Sequence, residues 1–332
     1  MAHSWNIEPL TLDLKYTWKI SRNASDQKTN LIVTIRSGNH AGRGEAAPNI
    51  RYAESAEAGL EAFTRFMKYA DGINSIESLQ DAIRQARLFR SLAFAIESAW
   101  FNLEESKTGK TFFEITSSPM PESIGTSYTI PIMDIGKMKS FYEENRLNRF
   151  PSIKLKVNAD NALESLTHLF SFSDSPVMID PNESFTDVEQ CIYLLEKVAR
   201  KPILLVEQPM PSAMIEETEY LKRYSGFPLF ADEAITDDAD FVALKGSYDG
   251  VNIKLMKAGG MLNGLRLLRE ARHHGMKTMV GCMVETTLGI SSAMKLCGLA
   301  DYADLDSFML LKEEPFGLVN ETNGYLSFVK GI

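Results

Sequence analysis

Three acidic residues end three apolar segments that follow one another along the chain: Asp180 in MIDPN, Glu207 in VEQP and Asp232 in ADEA. If the segments are adjacent parallel strands, which lie about 4.8 Å apart, the three carboxylates crowd one small volume and repel one another. A divalent cation relieves that repulsion, and ligands that are all oxygen suit Mg²⁺ or Mn²⁺ better than zinc. In the alternative interpretation, each acid only caps the helix that follows its strand.

Three lysines occupy comparable positions. Lys154 and Lys156, in SIKLKV, are two residues apart on a predicted strand and therefore point to the same face. Lys254, in NIKLM, has an equivalent position four strands later. Burial and neighbouring cations lower a lysine pKa, so such side chains can act as bases. A lysine on each side of a metal site predicts proton transfer at both faces of one carbon; ion pairing with the carboxylates is the alternative.

Two further acids, Asp304 and Asp306 in ADLDSF, share one face at the end of the last apolar segment. A pair of carboxylates away from the metal suits a cationic substrate group such as an ammonium. Solvated turn acids are the alternative. The segment KAGG, residues 257–260, opens a helix whose N-terminus is able to hold an anion. No Gly-x-Ser-x-Gly elbow, Walker loop or Cys/His zinc spacing occurs, so the sequence does not indicate a serine hydrolase, a P-loop NTPase or a zinc enzyme.

The elements that must position these side chains follow from the periodicity. Eight short apolar segments, from TSYTIPIMD to ADLDSF, alternate with segments of helical spacing. Repeated βα units imply parallel strands, and eight of them close into a barrel with its active site at the carboxyl ends. We therefore predict an α/β fold, a modified (β/α)8, TIM-like barrel over residues 124–309 with an N-terminal α+β capping domain over 1–116, to which the tail 310–332 returns. An open doubly wound sheet is the competing architecture.

Composition sets the broad class of protein. Hydrophobic residues make up 44% and charged residues 24% of the 332 residues, which is usual for a soluble globular protein. The net charge of −9 disfavours nucleic acid, and neither a basic leader nor a stretch of about 18 apolar residues indicates export or membrane insertion. Three cysteines, an odd number, argue against a disulfide framework. We expect a cytoplasmic protein with no nucleic-acid or membrane partner.

Seven motifs occur in an order that resembles one enzyme family. They are GRGEAAP at 42–48, SIKLKV, MIDPN, VEQP, ADE, NIKLMKAGG and GCMVETTLG. Over essentially the whole chain they are similar to motifs of the muconate lactonizing enzyme subgroup of the enolase superfamily, and within it of the dipeptide epimerases. The resemblance implies an isomerase that inverts the α-carbon of the C-terminal residue of a dipeptide, and a homo-oligomer.

The same resemblance assigns roles by position. One Mg²⁺ per subunit, replaceable by Mn²⁺, would be bound by the three acids Asp180, Glu207 and Asp232 and would hold the substrate carboxylate. Lys154 and the metal would stabilise an ene-diolate, as in the chemistry of that superfamily. Lys156, acting on the R centre, and Lys254, acting on the S centre, would be the opposed bases.

The assignment to the dipeptide epimerases depends on Asp304 and Asp306. The family carries an Asp-x-Asp at the eighth strand that binds the α-ammonium of the dipeptide. Thr129, Lys154 and Cys282 match positions that touch the substrate, the last through its backbone. A muconate cycloisomerase or an o-succinylbenzoate synthase-like lyase, neither of which has such a cation to bind, is the rival within enzymes. A binding protein on a former enzyme scaffold is the rival from another class.

The capping loop, YTWKISRNASDQKTN at 16–30, departs from the Ala-Glu epimerases, in which an arginine binds the glutamate side chain. Alignment on Trp18 and Lys19 puts Asn23 at that position, with Arg22 one residue earlier. This implies a small or neutral dipeptide such as Ala-Ala as the substrate. If Arg22 takes the arginine role instead, an Ala-D/L-Glu epimerase is the alternative.

Overall fold

The computed structural model describes residues 3–21 and 24–329, and its N-terminal part is an antiparallel sheet followed by helices. We call this part the cap. Its sheet has the order β1 (Ser4–Lys19), β2 (Ala24–Ser37), β3 (His40–Ala46). Its helices are α1 (Ala56–Phe66), α2 (Ile76–Gln85), α3 (Arg90–Thr108) and α4 (Phe112–Thr116). Ser55 and Ser75 cap α1 and α2, because each side chain accepts a hydrogen bond from a backbone N–H of the first turn.

Two glycines of the GRGEAAP motif allow α3 to pack directly on β3. A Cβ atom at Gly44 would lie 2.0 Å from the carbonyl oxygen of Ala95, and one at Gly42 would lie 2.1 Å from that of Ala99. No side chain fits at such distances, so the helix backbone touches the strand backbone. This close contact places the next residue of the motif, Glu45, at the border between the cap and the rest of the chain.

The centre of the molecule is an eight-stranded parallel sheet that follows the short strand β4 (Ile124–Gly125). Its neighbouring strands, in chain order, are β5 (Ser127–Ile130), β6 (Ser152–Lys156), β7 (Val177–Asp180), β8 (Ile203–Glu207), β9 (Leu229–Ala231), β10 (Gly250–Lys254), β11 (Lys277–Gly281) and β12 (Tyr302–Asp304). A parallel bridge between Thr126 and Ala303 joins the two edges. The predicted barrel with its cap is confirmed, and the open doubly wound sheet is wrong.

Helices surround the barrel and connect its strands. They are α5 (Ile135–Glu144), α6 (Ala162–Leu169), α7 (Val188–Lys197), α8 (Ile215–Tyr224), α9 (Phe241–Ser247), α10 (Leu255–Ala258), α11 (Met261–His273) and α12 (Thr287–Met294). Short 3-10 helices span Ile50–Tyr52, Leu147–Arg149, Cys297–Leu299 and Ser307–Leu310. Within the described residues, no helix has the length and apolar character needed to cross a membrane.

A small apolar layer fills the inside of the barrel below its carboxyl ends. It consists of Met178, Leu205, Phe230 and Met279, one each from β7, β8, β9 and β11. Side chains two residues apart on a strand point the same way. The residues two positions later therefore also face the interior, one layer higher, and three of them are acidic. The floor of the barrel thus sets the height of the acidic layer above it.

The C-terminal tail has two sets of contacts. Leu311 forms an antiparallel bridge with Leu14 of β1, and the N–H of Lys312 donates to the carbonyl oxygen of Asp13. Beyond these contacts, β13 (Val319–Thr322) and β14 (Tyr325–Phe328) form a sheet with β4. The tail thus contacts the cap at its start and the beginning of the barrel at its end. The division at 1–116 and 124–309 stays a prediction.

Candidate active site

The three acids predicted to bind metal lie at the carboxyl ends of neighbouring strands. β7 ends at Asp180, β8 ends at Glu207, and Asp232 directly follows β9. All three side chains are buried, where an uncompensated negative charge is costly. The structure therefore brings together the acids that the sequence predicted to meet.

The ammonium of Lys154 lies among three buried carboxylates. Its Nζ is 3.0 Å from Asp180 Oδ2, 2.8 Å from Glu207 Oε2 and 2.7 Å from Asp304 Oδ2. Burial by itself lowers a lysine pKa, but these carboxylates raise the pKa of Lys154 well above its usual value. Lys154 is therefore a permanent positive charge at the centre of the site.

Lys156 and Lys254 approach the acids from opposite sides of the barrel, on β6 and β10. Lys156 Nζ donates to Asp180 Oδ2 at 2.6 Å and to Asn182 Oδ1 at 3.1 Å. Lys254 Nζ donates to Asp232 Oδ2 at 2.8 Å. Burial opposes the charge on Lys254, but Asp232 more than offsets it and raises the pKa of Lys254. The two predicted bases are thus brought to one site, each hydrogen-bonded to a different acid.

A fourth lysine of the site, Lys257 on α10, was missed by the sequence reasoning. Its Nζ donates to Asp232 Oδ1 and to the Asp232 carbonyl oxygen, both at 2.5 Å. Burial alone would raise the pKa of Asp232, but Lys254 and Lys257 hold it well below its usual value. The signal was present in KAGG, which was interpreted as an anion site. The start of α11 instead holds a carboxylate of the protein itself: Glu97 Oε1, from the cap, accepts from the N–H of Leu262 at 3.0 Å.

Asn252 is a second residue that the sequence reasoning missed. Its Nδ2 donates to Glu207 Oε1 at 2.9 Å. Burial raises the pKa of Glu207 to about 7, and the negative charges of Asp180 and Asp232 add to the effect. The spacing in NIK could have predicted that Asn252 belongs to the site, because a residue two positions before Lys254 shares its face of β10.

Asp304 and Asp306 are buried, so the interpretation as solvated turn acids is wrong. Asp304 Oδ1 accepts from Ser127 Oγ at 2.7 Å, and Asp306 Oδ2 accepts from the Thr129 N–H at 2.6 Å. Burial opposes ionisation of Asp304, but the neighbouring Lys154 lowers its pKa. Burial and the charge of Asp304 raise the pKa of Asp306 to about 7. Asp304 is therefore ionised more readily than Asp306.

Thr129 and Cys282 flank these acids. Thr129 is paired with Lys154 in the register between β5 and β6. The Sγ of Cys282 donates to the carbonyl oxygen of Asp304 at 3.2 Å, and burial raises the pKa of this thiol well above its usual value. The thiol is therefore held protonated against the backbone of β12.

Arg22 and Asn23 lie outside the described residues, so their predicted contact with the substrate side chain stays a prediction. The segment before them reaches the barrel rim, where Ser21 Oγ donates to the carbonyl oxygen of Asn182 at 3.0 Å. An open cavity at this rim is lined by Ser21 and Arg51 from the cap and by Asn182 from the barrel. Because Asn182 also accepts from Lys156, the cavity adjoins the buried site.

The donor chemistry of Asp180, Glu207 and Asp232 fits a hard divalent cation such as Mg²⁺, because every donor is a carboxylate oxygen. Oε2 of Glu207 forms an ion pair with Lys154 Nζ at 2.8 Å, and a carboxylate oxygen has a second lone pair that can bind a cation. Over the described ranges, no three His, Cys, Asp or Glu side chains form a group able to hold a metal ion as they stand. Lysine ammonium groups contact all three acids, and a cation would have to replace part of these contacts.

The loop 282–286, which follows β11, contains another buried acid. Glu285 Oε1 accepts from the N–H of Met283 at 2.7 Å. Burial raises the pKa of Glu285 to about 8, and the negative charge of Glu45, from the cap, contributes to the shift. Glu45 itself accepts from Thr286 Oγ1 at 2.6 Å. The sequence reasoning used the motifs that contain these residues only as marks of resemblance and missed their contact.

Known proteins show the same fold and related sequences. Residues 137–316 match the family described as enolase C-terminal domain-like. An L-Ala-D/L-amino acid epimerase of Pedosphaera parvula is 33% identical, over 96% of this chain and 94% of that protein. An L-Ala-D/L-Glu epimerase of Bacteroides thetaiotaomicron is 28% identical, over 96% of this chain and 84% of that protein.

A solved structure from Agrobacterium tumefaciens covers nearly the whole chain. It is described as an enolase family member with homology to dipeptide epimerases, with bound sodium and L-Ala-L-Glu. It has a TM-score of 0.89 and 26% identity, and the match covers 99% of this chain and 98% of that one. The chain therefore belongs to the enolase C-terminal domain-like family, and the resemblance to the enolase superfamily is confirmed.

The buried acid of the loop 282–286 predicts a pH dependence of stability. In the folded protein Glu285 has a pKa of about 8 and stays protonated below that pH. In the unfolded chain the same side chain loses its proton above about pH 4.5. This contribution to the free energy of unfolding is therefore present at low pH and is lost as the pH rises to about 8. Glu285→Gln, which resembles the protonated acid, should flatten the decline by up to about 1.4 kcal/mol per pH unit.

Urea unfolding from pH 5 to pH 8 measures this difference. Glu61→Gln, at an exposed position on α1, is the control and should follow the wild-type curve. Parallel curves for the wild type and Glu285→Gln would show that Glu285 is ionised throughout and would contradict the prediction.

Proposed function

We propose that the protein is a Mg²⁺-dependent dipeptide epimerase that inverts the α-carbon of the C-terminal residue. One observation carries the proposal. Lys156 and Lys254 reach a single cluster of buried acids from opposite sides of the barrel. A carbon held between two such amines can lose a proton to one and regain a proton from the other on the opposite face, which is inversion.

The residues that would hold Mg²⁺ are Asp180, Glu207 and Asp232. When bound, the ion would neutralise the substrate carboxylate and so acidify the neighbouring α-proton. Asn252 and Lys257 keep two of these acids in place, because they hydrogen-bond to Glu207 and Asp232. Mn²⁺, which also accepts oxygen ligands, is proposed as a substitute.

The lysines have distinct proposed roles. Lys154 stays charged among the carboxylates and stabilises the negative charge that develops on the substrate carboxylate when the α-proton leaves. Lys156 or Lys254 removes that proton, and the other lysine delivers a proton to the opposite face. Each must therefore be the base in one direction of the reaction and the acid in the other.

Asp304 and Asp306 are the proposed subsite for the α-ammonium of the dipeptide. Asp306 Oδ2 accepts from the Thr129 N–H, and the Asp306 carboxylate would also accept from the ammonium of the substrate. A bound ammonium lowers the pKa of Asp306, because it favours the ionised form. Thr129 and Cys282 would border the peptide, the latter through its backbone.

The proposed substrate is a small or neutral dipeptide such as Ala-Ala. The position of Asn23 supports a neutral second residue, and the two relatives described above are named for substrates that begin with L-Ala. An Ala-D/L-Glu substrate, bound through Arg22, is the alternative. A panel of Ala-Ala stereoisomers, Ala-Glu and Ala with a larger apolar residue decides between them.

Replacement of either opposed lysine should abolish epimerisation. In D₂O with Mg²⁺, the wild type should exchange the α-proton of the C-terminal residue, and Lys156→Ala or Lys254→Ala should slow epimerisation by about 10²–10⁴-fold because one face loses its acid and base. Proton NMR follows epimerisation through the separate methyl signals of the two diastereomers, because loss of the α-proton signal alone reports exchange, which the remaining lysine can still catalyse on its own face. Lys139→Ala, at an exposed lysine of α5, is the control. Full epimerase activity in either barrel variant would refute the two-lysine mechanism.

Mg²⁺ should stabilise the wild type but not a variant that lacks a proposed ligand. At a concentration 100 times its dissociation constant, a ligand adds about 2.7 kcal/mol to the free energy of unfolding. Thermal unfolding with and without Mg²⁺ should therefore show a rise in Tm for the wild type and none for Asp232→Asn. Asp160→Asn, an exposed acid of the same rim, should respond like the wild type. An equal response of all three proteins would argue against the proposed ligand set.

Removal of a carboxylate from the proposed ammonium subsite should raise the KM. A hydrogen bond to a charged group is worth about 1.5–3 kcal/mol, so Asp306→Asn should raise the KM for a free dipeptide by about 10- to 100-fold. An N-acetylated dipeptide, which has no ammonium, should be a poor substrate whose kcat/KM changes little in the variant. If Asp306→Asn affects both substrates equally, the subsite assignment fails and the lyase alternative gains support.

A further inference from the structure

Glu45 is a fully buried residue of the cap, and its carboxylate oxygens contact backbone N–H groups of the barrel. Its oxygens accept from Asn30 Nδ2 at 2.7 Å, from Thr286 N at 3.1 Å and Oγ1 at 2.6 Å, and from Gly289 N at 3.0 Å. Burial raises the pKa of Glu45, and the hydrogen bonds donated by Thr286, Asn30 and Gly289 oppose that rise because they favour the ionised carboxylate. The negative charge also lies at the N-terminus of α12, where the helix dipole favours it.

Asn30 extends this anchor to the loop 282–286. Its Nδ2 also donates to the carbonyl oxygen of Val284 at 2.9 Å. The side chain of Val284 packs in a small apolar cluster with Leu12, Leu14, Leu311 and the partly buried Trp18. The part of β1 that leads to the capping loop therefore rests on a loop whose position Glu45 and Asn30 determine.

The other side of the loop contacts the end of β12. Cys282 Sγ donates to the carbonyl oxygen of Asp304 at 3.2 Å. Ser307 Oγ accepts from the Glu285 N–H and donates to the Glu285 carbonyl oxygen, both at 3.1 Å. The loop thus lies between the cap on one side and the acids proposed to bind the dipeptide ammonium on the other.

We propose that Glu45 is a positioning residue for the dipeptide, which fixes the loop 282–286 so that the ammonium subsite and the strand beneath the capping loop keep one geometry. The hydrogen-bond partners of Glu45 are Asn30, Thr286 and Gly289, and none of them is a proposed base or metal ligand. The inference rests on the proposed function, because the subsite at Asp304 and Asp306 belongs to that proposal. It predicts a defect in binding and not in proton transfer.

Glu45→Gln tests this inference. The new amide group would face donors with its own N–H₂, so the anchor should loosen. We expect the KM for Ala-Ala to rise by about 10-fold, with kcat changed less than about 3-fold, because the lost contacts position the substrate and do not act in the transition state. The Mg²⁺-dependent rise in Tm should stay at its wild-type value.

Glu105→Gln is the matched control. Glu105 also belongs to the cap, and it contacts the residue that follows the C-terminal end of α12: Lys295 Nζ donates to its Oε2 at 2.5 Å. This variant should lose stability and keep the wild-type KM. A rise in KM of the same size in both variants would show general loosening of the cap and would overturn the proposal, as would an unchanged KM in Glu45→Gln.

Two further measurements keep the test decisive. If Glu45→Gln does not fold, Asn30→Ala removes the contact with Val284 without removing the charge, and it should also raise the KM. Amide hydrogen exchange should become faster over residues 283–289 in Glu45→Gln and not in Glu105→Gln, and unchanged exchange would overturn the anchor itself. If the wild type turns over no dipeptide, the proposed function fails, and exchange alone still decides whether Glu45 holds the loop.

Discussion

Charge buried inside the barrel must be compensated by opposite charge within hydrogen-bond distance, because water does not reach it. Asp180, Glu207 and Asp232 each stand two residues after an apolar side chain of the barrel floor, so all three face the interior above that floor. Lysines on β6, β10 and α10 supply the opposite charge. The same pairing that makes the acids tolerable in a folded protein also places amines on opposite sides of the acid cluster.

The parts of this site that follow the period of a single strand could be predicted from the sequence. Lys154 and Lys156 are two residues apart, and the acids end consecutive apolar segments, so the barrel and the central cluster follow from local pattern. Asn252 obeys the same rule and was overlooked. The burial of Asp304 and Asp306 did not follow from pattern, because a strand end next to Ser127 looks the same in a sequence as a solvated turn.

Contacts between distant segments could not be predicted. The pairing of Lys257 with Asp232 depends on the path of the chain after β10, and the contact between Glu45 and Thr286 joins residues far apart in the sequence. The GRGEAAP motif needs its glycines because the backbone of α3 packs directly against them. The neighbouring residues in the sequence do not reveal this contact. The motif was recognisable as a resemblance, but its physical purpose required the packed structure.

Two carboxylates of the cap, Glu45 and Glu97, end at the first turns of two helices that belong to the barrel. Each supplies an acceptor that the start of a helix lacks. Neither part is therefore chemically complete alone: in a separated cap Glu45 would lose its donors Thr286 and Gly289, and in a separated barrel the N–H groups of Leu262 and Gly289 would lose their carboxylate acceptors. A cap transplanted from another protein would therefore fit this barrel only if it placed one carboxylate against the start of α11 and another against the start of α12.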